Sequence, residues 1–176
     1  MRICVFCSSK LNFDSPFIKN ARFFGEWIGR QSHELVYGGS QSGLMGVVAD
    51  AVLSAGGQVT GYLPQGLFPG EVPHRTIQNL VDVPDLFERK KMMMKESDVF
   101  VVLPGGVGTL DEFFEVITWK SLHCFDKPIY LLNENGFWDT LLVLFEDLRK
   151  KNMLDGHLLS TFKVVNSFSS LQEQLC

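Results

Sequence analysis

Short apolar runs and longer amphipathic segments take turns along this chain. Residues 3–7, 35–37, 59–62, 99–103, 129–132 and 162–165 are brief β-rich stretches, with a shorter candidate near 76–81. Several are continuously apolar, as strands covered on both faces are. Between them lie segments with helical spacing, near 16–31, 43–55, 85–96, 110–122, 137–151 and 167–175. Strand and helix in regular turn predict an α/β fold: a Rossmann-like, doubly wound, mostly parallel sheet with helices on both faces. Ligands of such sheets bind at the carboxyl ends of the strands, near the point where strand order reverses. The loops that follow the strands are therefore where chemistry is sought.

No repeat or low-complexity linker interrupts the pattern, and the 176 residues read as one domain spanning 1–176. A chain of that size buries roughly 70% of its unfolded surface. Hydrophobic residues at 45% and charged residues at 20% exclude intrinsic disorder. A net charge of −4 with no basic stripe argues against a nucleic-acid partner. No apolar run approaches the ~18 residues of a membrane span. Met1-Arg2-Ile3-Cys4-Val5-Phe6 runs straight into a strand, so neither a signal peptide nor a membrane partner is expected, and the expected compartment is the cytoplasm. Cys4 and Cys7 spell C-x-x-C, yet no second Cys or His pair stands at ligand spacing. On a strand the two would face opposite sides. No metal or cofactor is expected.

Two strand ends carry glycine clusters. Tyr37-Gly38-Gly39-Ser40-Gln41-Ser42-Gly43-Leu44-Met45-Gly46 leads into the helix at 43–55, and Leu103-Pro104-Gly105-Gly106-Val107-Gly108-Thr109 into that at 110–122. Glycine lets an anion come close to backbone N–H groups, and a helix N-terminus adds unpaired donors and partial positive charge. Together they favour a phosphate, although glycines in these places also serve simply to make a tight turn. No Gly-Lys dipeptide occurs, which excludes a Walker-type loop, and the first strand ends in Cys7-Ser8-Ser9 without glycine, so ordinary dinucleotide binding there is not expected.

Thr109-Leu110-Asp111-Glu112 fits a capping box, in which Glu112 reaches back to cap its own helix. The alternative is a carboxylate one turn inside an anion loop, facing the ligand beyond the phosphate, with Glu115 on the same side. In the segment 85–94, Leu86, Phe87, Met93 and Met94 form an apolar stripe on a helical wheel. Lys90 projects within it and Arg89 sits at its edge. A cation there needs an internal partner, a route to water, or an anionic ligand in a cleft.

Pro104-Gly105-Gly106-Val107-Gly108-Thr109-Leu110-Asp111-Glu112 and the upstream Arg89-Lys90 resemble the two hallmarks of the LONELY GUY (LOG) family, the cytokinin riboside 5′-monophosphate phosphoribohydrolases. Its members were often labelled possible lysine decarboxylases. Val5-Phe6-Cys7, Leu35-Val36-Tyr37-Gly38-Gly39, Gly43-Leu44-Met45-Gly46, Glu115-Val116-Ile117-Thr118-Trp119 and Lys127-Pro128 extend the likeness over roughly residues 1–155. The resemblance implies a Rossmann-like homodimer with its site near the subunit interface. It implies hydrolysis of a nucleoside 5′-monophosphate, AMP or an N6-prenylated AMP, to free base and ribose 5-phosphate. By position it makes Arg89 and Glu112 the catalytic pair. Lys90, Gly105, Gly106, Val107, Gly108 and Thr109 become phosphate and ribose contacts, Glu71 and Thr118 further substrate contacts, and Gly38, Gly39, Gly43 and Met45 the other half of the cradle. Ser40 stands where the family usually has a third glycine, and Leu86-Phe87 where it has Met-His.

In such a reaction positive charge builds on C1′ of the ribose, as it does in O-glycoside hydrolysis. A carboxylate there stabilises it and orients or deprotonates the attacking water. Glu112 is assigned that part, while Arg89 either balances charge on the departing base or holds the sugar and orients Glu112. Lysine decarboxylation is not expected, because it needs pyridoxal phosphate on a lysine with a pyridinium partner. The alternative is a non-catalytic nucleotide or molybdenum cofactor carrier on the same scaffold.

Overall fold

The computed structural model describes residues 1–10, 16–64, 66, 72–154 and 156–175. Seven strands make one sheet: β1 (Arg2–Phe6), β2 (Glu34–Tyr37), β3 (Gln58–Pro64), β4 (Asn79–Val83), β5 (Val99–Val102), β6 (Ile129–Leu132) and β7 (Lys163–Val165). Every pairing is parallel, in the order β4-β3-β2-β1-β5-β6-β7. The helices are α1 (Pro16–Arg30), α2 (Gly43–Ser54), α3 (Leu86–Glu96), α4 (Val107–Ser121), α5 (Asp139–Lys150), α6 (Gly156–Ser160) and α7 (Phe168–Leu175).

The period of two along each strand sorts the core into two layers. Ile3, Val5, Leu35, Tyr37, Val99 and Val101 face α1, α2 and α7, while Phe6, Val36, Phe100, Val102, Ile129 and Leu131 face the layer of α3, α4 and α5. Both faces are thus covered, which is why the central strands read as unbroken apolar runs. Cys7 belongs to the first layer and Cys4 to the second. Burial, and after it the nearby Glu112 carboxylate, pushes both thiols well up, so both stay protonated.

Three expectations are corrected. The strand placed near 76–81 runs over Asn79–Val83, because its register is set by β3 from Thr60↔Asn79 to Pro64↔Val83. The helix placed at 110–122 starts at Val107, with Gly106 as its cap in extended conformation, and Leu110 N–H donates to Gly106 O at 3.0 Å. Thr109 is therefore inside the helix with its side chain buried, and Glu112 lies too far along to cap, so the capping box does not form. On α3 the buried face is Arg89, Met93 and Met94, whereas Leu86 and Phe87 are exposed. The wheel gave the right relative angles and the wrong arc: a charged residue turns inward because a carboxylate on another element meets it. The short α6 had no counterpart in the hydrophobic pattern, five residues being too few for a helical period to show.

Candidate functional site

Strand order reverses between β1 and β5, which pair directly from Ile3↔Val99 to Phe6↔Val102. The two loops leaving their carboxyl ends are therefore neighbours, and the crevice between them is where a doubly wound sheet opens a site. Ser8 N–H donates to Pro104 O at 3.2 Å, and Leu44 N–H donates to Ser8 O at 2.9 Å. The loop after β1 is thereby tied both to the loop after β5 and to the start of α2. Gly43 permits this approach: it takes φ +65°, and a Cβ there would come 2.3 Å from the Ser9 carbonyl carbon.

A cavity of about 430 Å³ opens between these loops and the first turns of α3 and α4. Gly106, the cap of α4, and Val107, Gly108 and Thr109 of its first turn line it, followed by Asp111 and Glu112, while Leu86, Arg89 and Lys90 line it from α3. Met45 and residues 7–10 close the remaining side. The first N–H groups of α4 have no partner within the helix, so they present donors and the positive end of the dipole to this space.

Arg89 and Glu112 meet from different helices, Nη2 lying 3.9 Å from Oε1. Both side chains are largely buried, at 8% and 13% exposure. Asp85 sets the start of α3 by accepting from Glu88 N–H at 2.8 Å, which places Arg89 on the second turn. Gly38 makes room for the guanidinium: a Cβ there would stand 1.7 Å from Arg89 Nη2. Lys90 clamps the same two helices one step outward, binding Asp111 Oδ2 at 2.9 Å and Glu115. Burial pulls the Lys90 ammonium down, but the bonds to Glu115 and Asp111 outweigh it and hold its pKa above the ordinary lysine value.

The structure thus gathers Arg89, Lys90, Glu112, Gly106, Val107, Gly108, Thr109 and Met45 around one space. Gly105 lies just behind it, packed under the Thr109 hydroxyl. Gly38, Gly39 and Gly43 do not line the cavity. Gly38 backs Arg89, Gly39 packs towards Leu63 and Leu80, and Gly43 backs Ser8 and Ser9. Thr118 is exposed on α4, away from the cavity, and Glu71 lies outside the described residues. Ser40 is buried, its Oγ accepting from Ser42 N–H, while Gln41 N–H donates to Val72 O at 2.7 Å. Leu86 lines the cavity, and the exposed Phe87 ring sits 5.8 Å from Lys90 Nζ. Sequence reasoning passed over Ser8, Ser9 and Lys10, because the loop after β1 carries no glycine. Only strand order could have marked it. Among the described residues no group of three or more His, Cys, Asp or Glu is placed to hold a metal ion, and no helix is long and apolar enough to cross a membrane.

The profile of the family described as "Possible lysine decarboxylase" matches residues 45–175. A probable cytokinin riboside 5′-monophosphate phosphoribohydrolase of Oryza sativa subsp. japonica is 43% identical over 145 residues, 82% of this chain and 65% of that protein. A cytokinin riboside 5′-monophosphate phosphoribohydrolase of Arabidopsis thaliana is 44% identical over 141 residues, 80% of this chain and 66% of that protein. The chain thus spans about two thirds of the length of these relatives. Among solved structures, the molybdenum cofactor carrier protein of Chlamydomonas reinhardtii superposes with a TM-score of 0.73 at 20% identity, covering 99% of this chain and 94% of that one. The molybdenum cofactor binding protein of Rippkaea orientalis gives 0.69 at 20%, covering 99% and 93%. At such identity the likeness is one of fold.

Proposed function

The chain belongs to the LOG family, described as possible lysine decarboxylases and containing cytokinin riboside 5′-monophosphate phosphoribohydrolases, and from that membership we propose that it hydrolyses the N-glycosidic bond of a nucleoside 5′-monophosphate. The observation that carries this reading is the Arg89–Glu112 pair, half-enclosed beside a helix N-terminus. The phosphate docks on the N–H groups of residues 106–109, and its binding energy positions the sugar. Water attacks C1′ as the bond to the base nitrogen breaks. Glu112 stabilises the positive charge on the sugar and takes the water's proton. Arg89 holds Glu112 in place and balances negative charge on the departing base, which takes up a proton from solvent while Glu112 gives its own back to solvent, so that one water is divided between sugar and base. Leu86 and Val107 at the mouth offer the base an apolar wall.

A carrier has no need of a carboxylate beside the sugar, so the pair favours hydrolysis over storage. The product assay is direct: the purified protein is incubated with AMP, with isopentenyladenosine 5′-monophosphate and with adenosine. Free base and ribose 5-phosphate are expected from at least one nucleotide, with kcat/KM for the phosphate-free nucleoside at least ~10-fold lower because the remote handle is gone. Equal turnover of adenosine and AMP would sink the phosphate handle. Tight binding of nucleotide without release of base would favour a carrier.

The same family membership supports a homodimer. Phe114 and Trp119 on α4, Leu122 at its C-terminal cap, and Val143 and Leu144 on α5 are large apolar side chains left exposed, as at an interface. Thr118 lies on the same face as Phe114 and Leu122, so a partner packed there would meet it. Sedimentation at micromolar concentration is expected to give twice the chain mass; a monomer at all concentrations would reject the dimer.

A further inference from the structure

The two cations that α3 presents to the cavity already face carboxylates. Lys90 is bonded to Asp111 and Glu115, and Arg89 faces Glu112, so two cations answer three carboxylates of α4. Turning Lys90 to a phosphate would leave Asp111 and Glu115, four residues apart on one helix, repelling each other. A dianion brought to this set meets net negative side-chain charge, which the partial charge of one helix end offsets only in part.

Lys10 lines the same cavity from the opposite side, and among the described residues its ammonium has no ion pair. Its place is built. Ser8 Oγ accepts from Lys10 N–H at 3.0 Å and donates to Lys10 O at 2.9 Å, while Ser8 N–H is bonded to Pro104 O. That chain of bonds holds Lys10 beside the loop whose N–H groups would take the phosphate. We propose that Lys10 supplies the side-chain positive charge that binds the 5′-phosphate, completing a site whose other donors are backbone N–H groups. The inference rests on the nucleotide reading above.

The test compares Lys10→Met, which keeps the stem without the charge, with Lys10→Arg, in a Glu112→Gln background that suppresses turnover. In calorimetric titration, Lys10→Met is expected to weaken AMP about 10-fold, the loss of one charge-assisted contact, while adenosine changes less than about 2-fold and Lys10→Arg stays near the parent. Rising ionic strength should weaken AMP binding to the parent more than to Lys10→Met. Unchanged AMP affinity, or an equal loss for adenosine and AMP, would overturn the assignment. No AMP binding by the parent would overturn both this and the nucleotide reading. AMP binding through Lys10 without base release by the unsubstituted chain would overturn hydrolysis alone.

Discussion

Glu112→Gln is expected to lower kcat at least ~100-fold, the lower end of what a positioned acid or base contributes. The substitution keeps shape and hydrogen-bonding capacity and removes the charge. The expected loss is therefore one of electrostatic stabilisation at C1′ and of a proton acceptor for water. It should appear in kcat and kcat/KM together, with KM little changed, since the interaction is made in the transition state. The thermal transition should move little. Glu112 does not stand at the capping-box position, because Gly106 is the cap of α4 and Glu112 lies six residues beyond it. Near-normal turnover with a lowered melting temperature would return Glu112 to a structural part and remove the main support for hydrolysis.

Gly38→Ala should cost almost as much activity without touching a reacting group. The added Cβ would stand 1.7 Å from Arg89 Nη2, 2.6 Å from Cζ and 3.0 Å from Nε, so the guanidinium must move. All three atoms belong to the far end of a long side chain, whereas no backbone atom is among them. The strain is thus relieved by displacing Arg89 from Glu112 rather than by breaking the fold. A shift of about an ångström in a catalytic group costs on the order of 100-fold in rate. Arg89→Ala empties the same space, so adding Gly38→Ala to it should cost less than about 3-fold more, a non-additivity expected of residues in contact. Full additivity, or a collapse in melting temperature with normal activity per folded molecule, would show that Gly38 serves the turn and not the arginine.

Much of this arrangement was legible in the chain. Short β-rich runs, several of them continuously apolar as a sheet covered on both faces needs, marked six strands, and both glycine clusters fell at strand ends. The nine-residue motif and the Arg-Lys pair lie on a loop and a helix that the fold brings to one cavity. What misled was local chemistry weighed without its surroundings. Thr109 and Glu112 have capping spacing, yet α4 begins earlier because Gly106 adopts the cap conformation and Thr109 packs over Gly105. Phe87 looked like core and Arg89 like its edge, because a helical wheel fixes angles between residues but not which arc meets the sheet. The buried arc went to Arg89, whose guanidinium faces Glu112 on the neighbouring helix.

The sequence by itself determined the alternation of strands and helices and the residue types at the two loop ends, because period and turn chemistry are local properties. The tertiary structure alone decided which strand ends become neighbours. Placing β1 beside β5 brings a glycine-free loop, with Ser8 and Lys10, against residues 106–109. Strand order is settled by which layers of side chains bury each other across long stretches of chain, and no single segment carries that information.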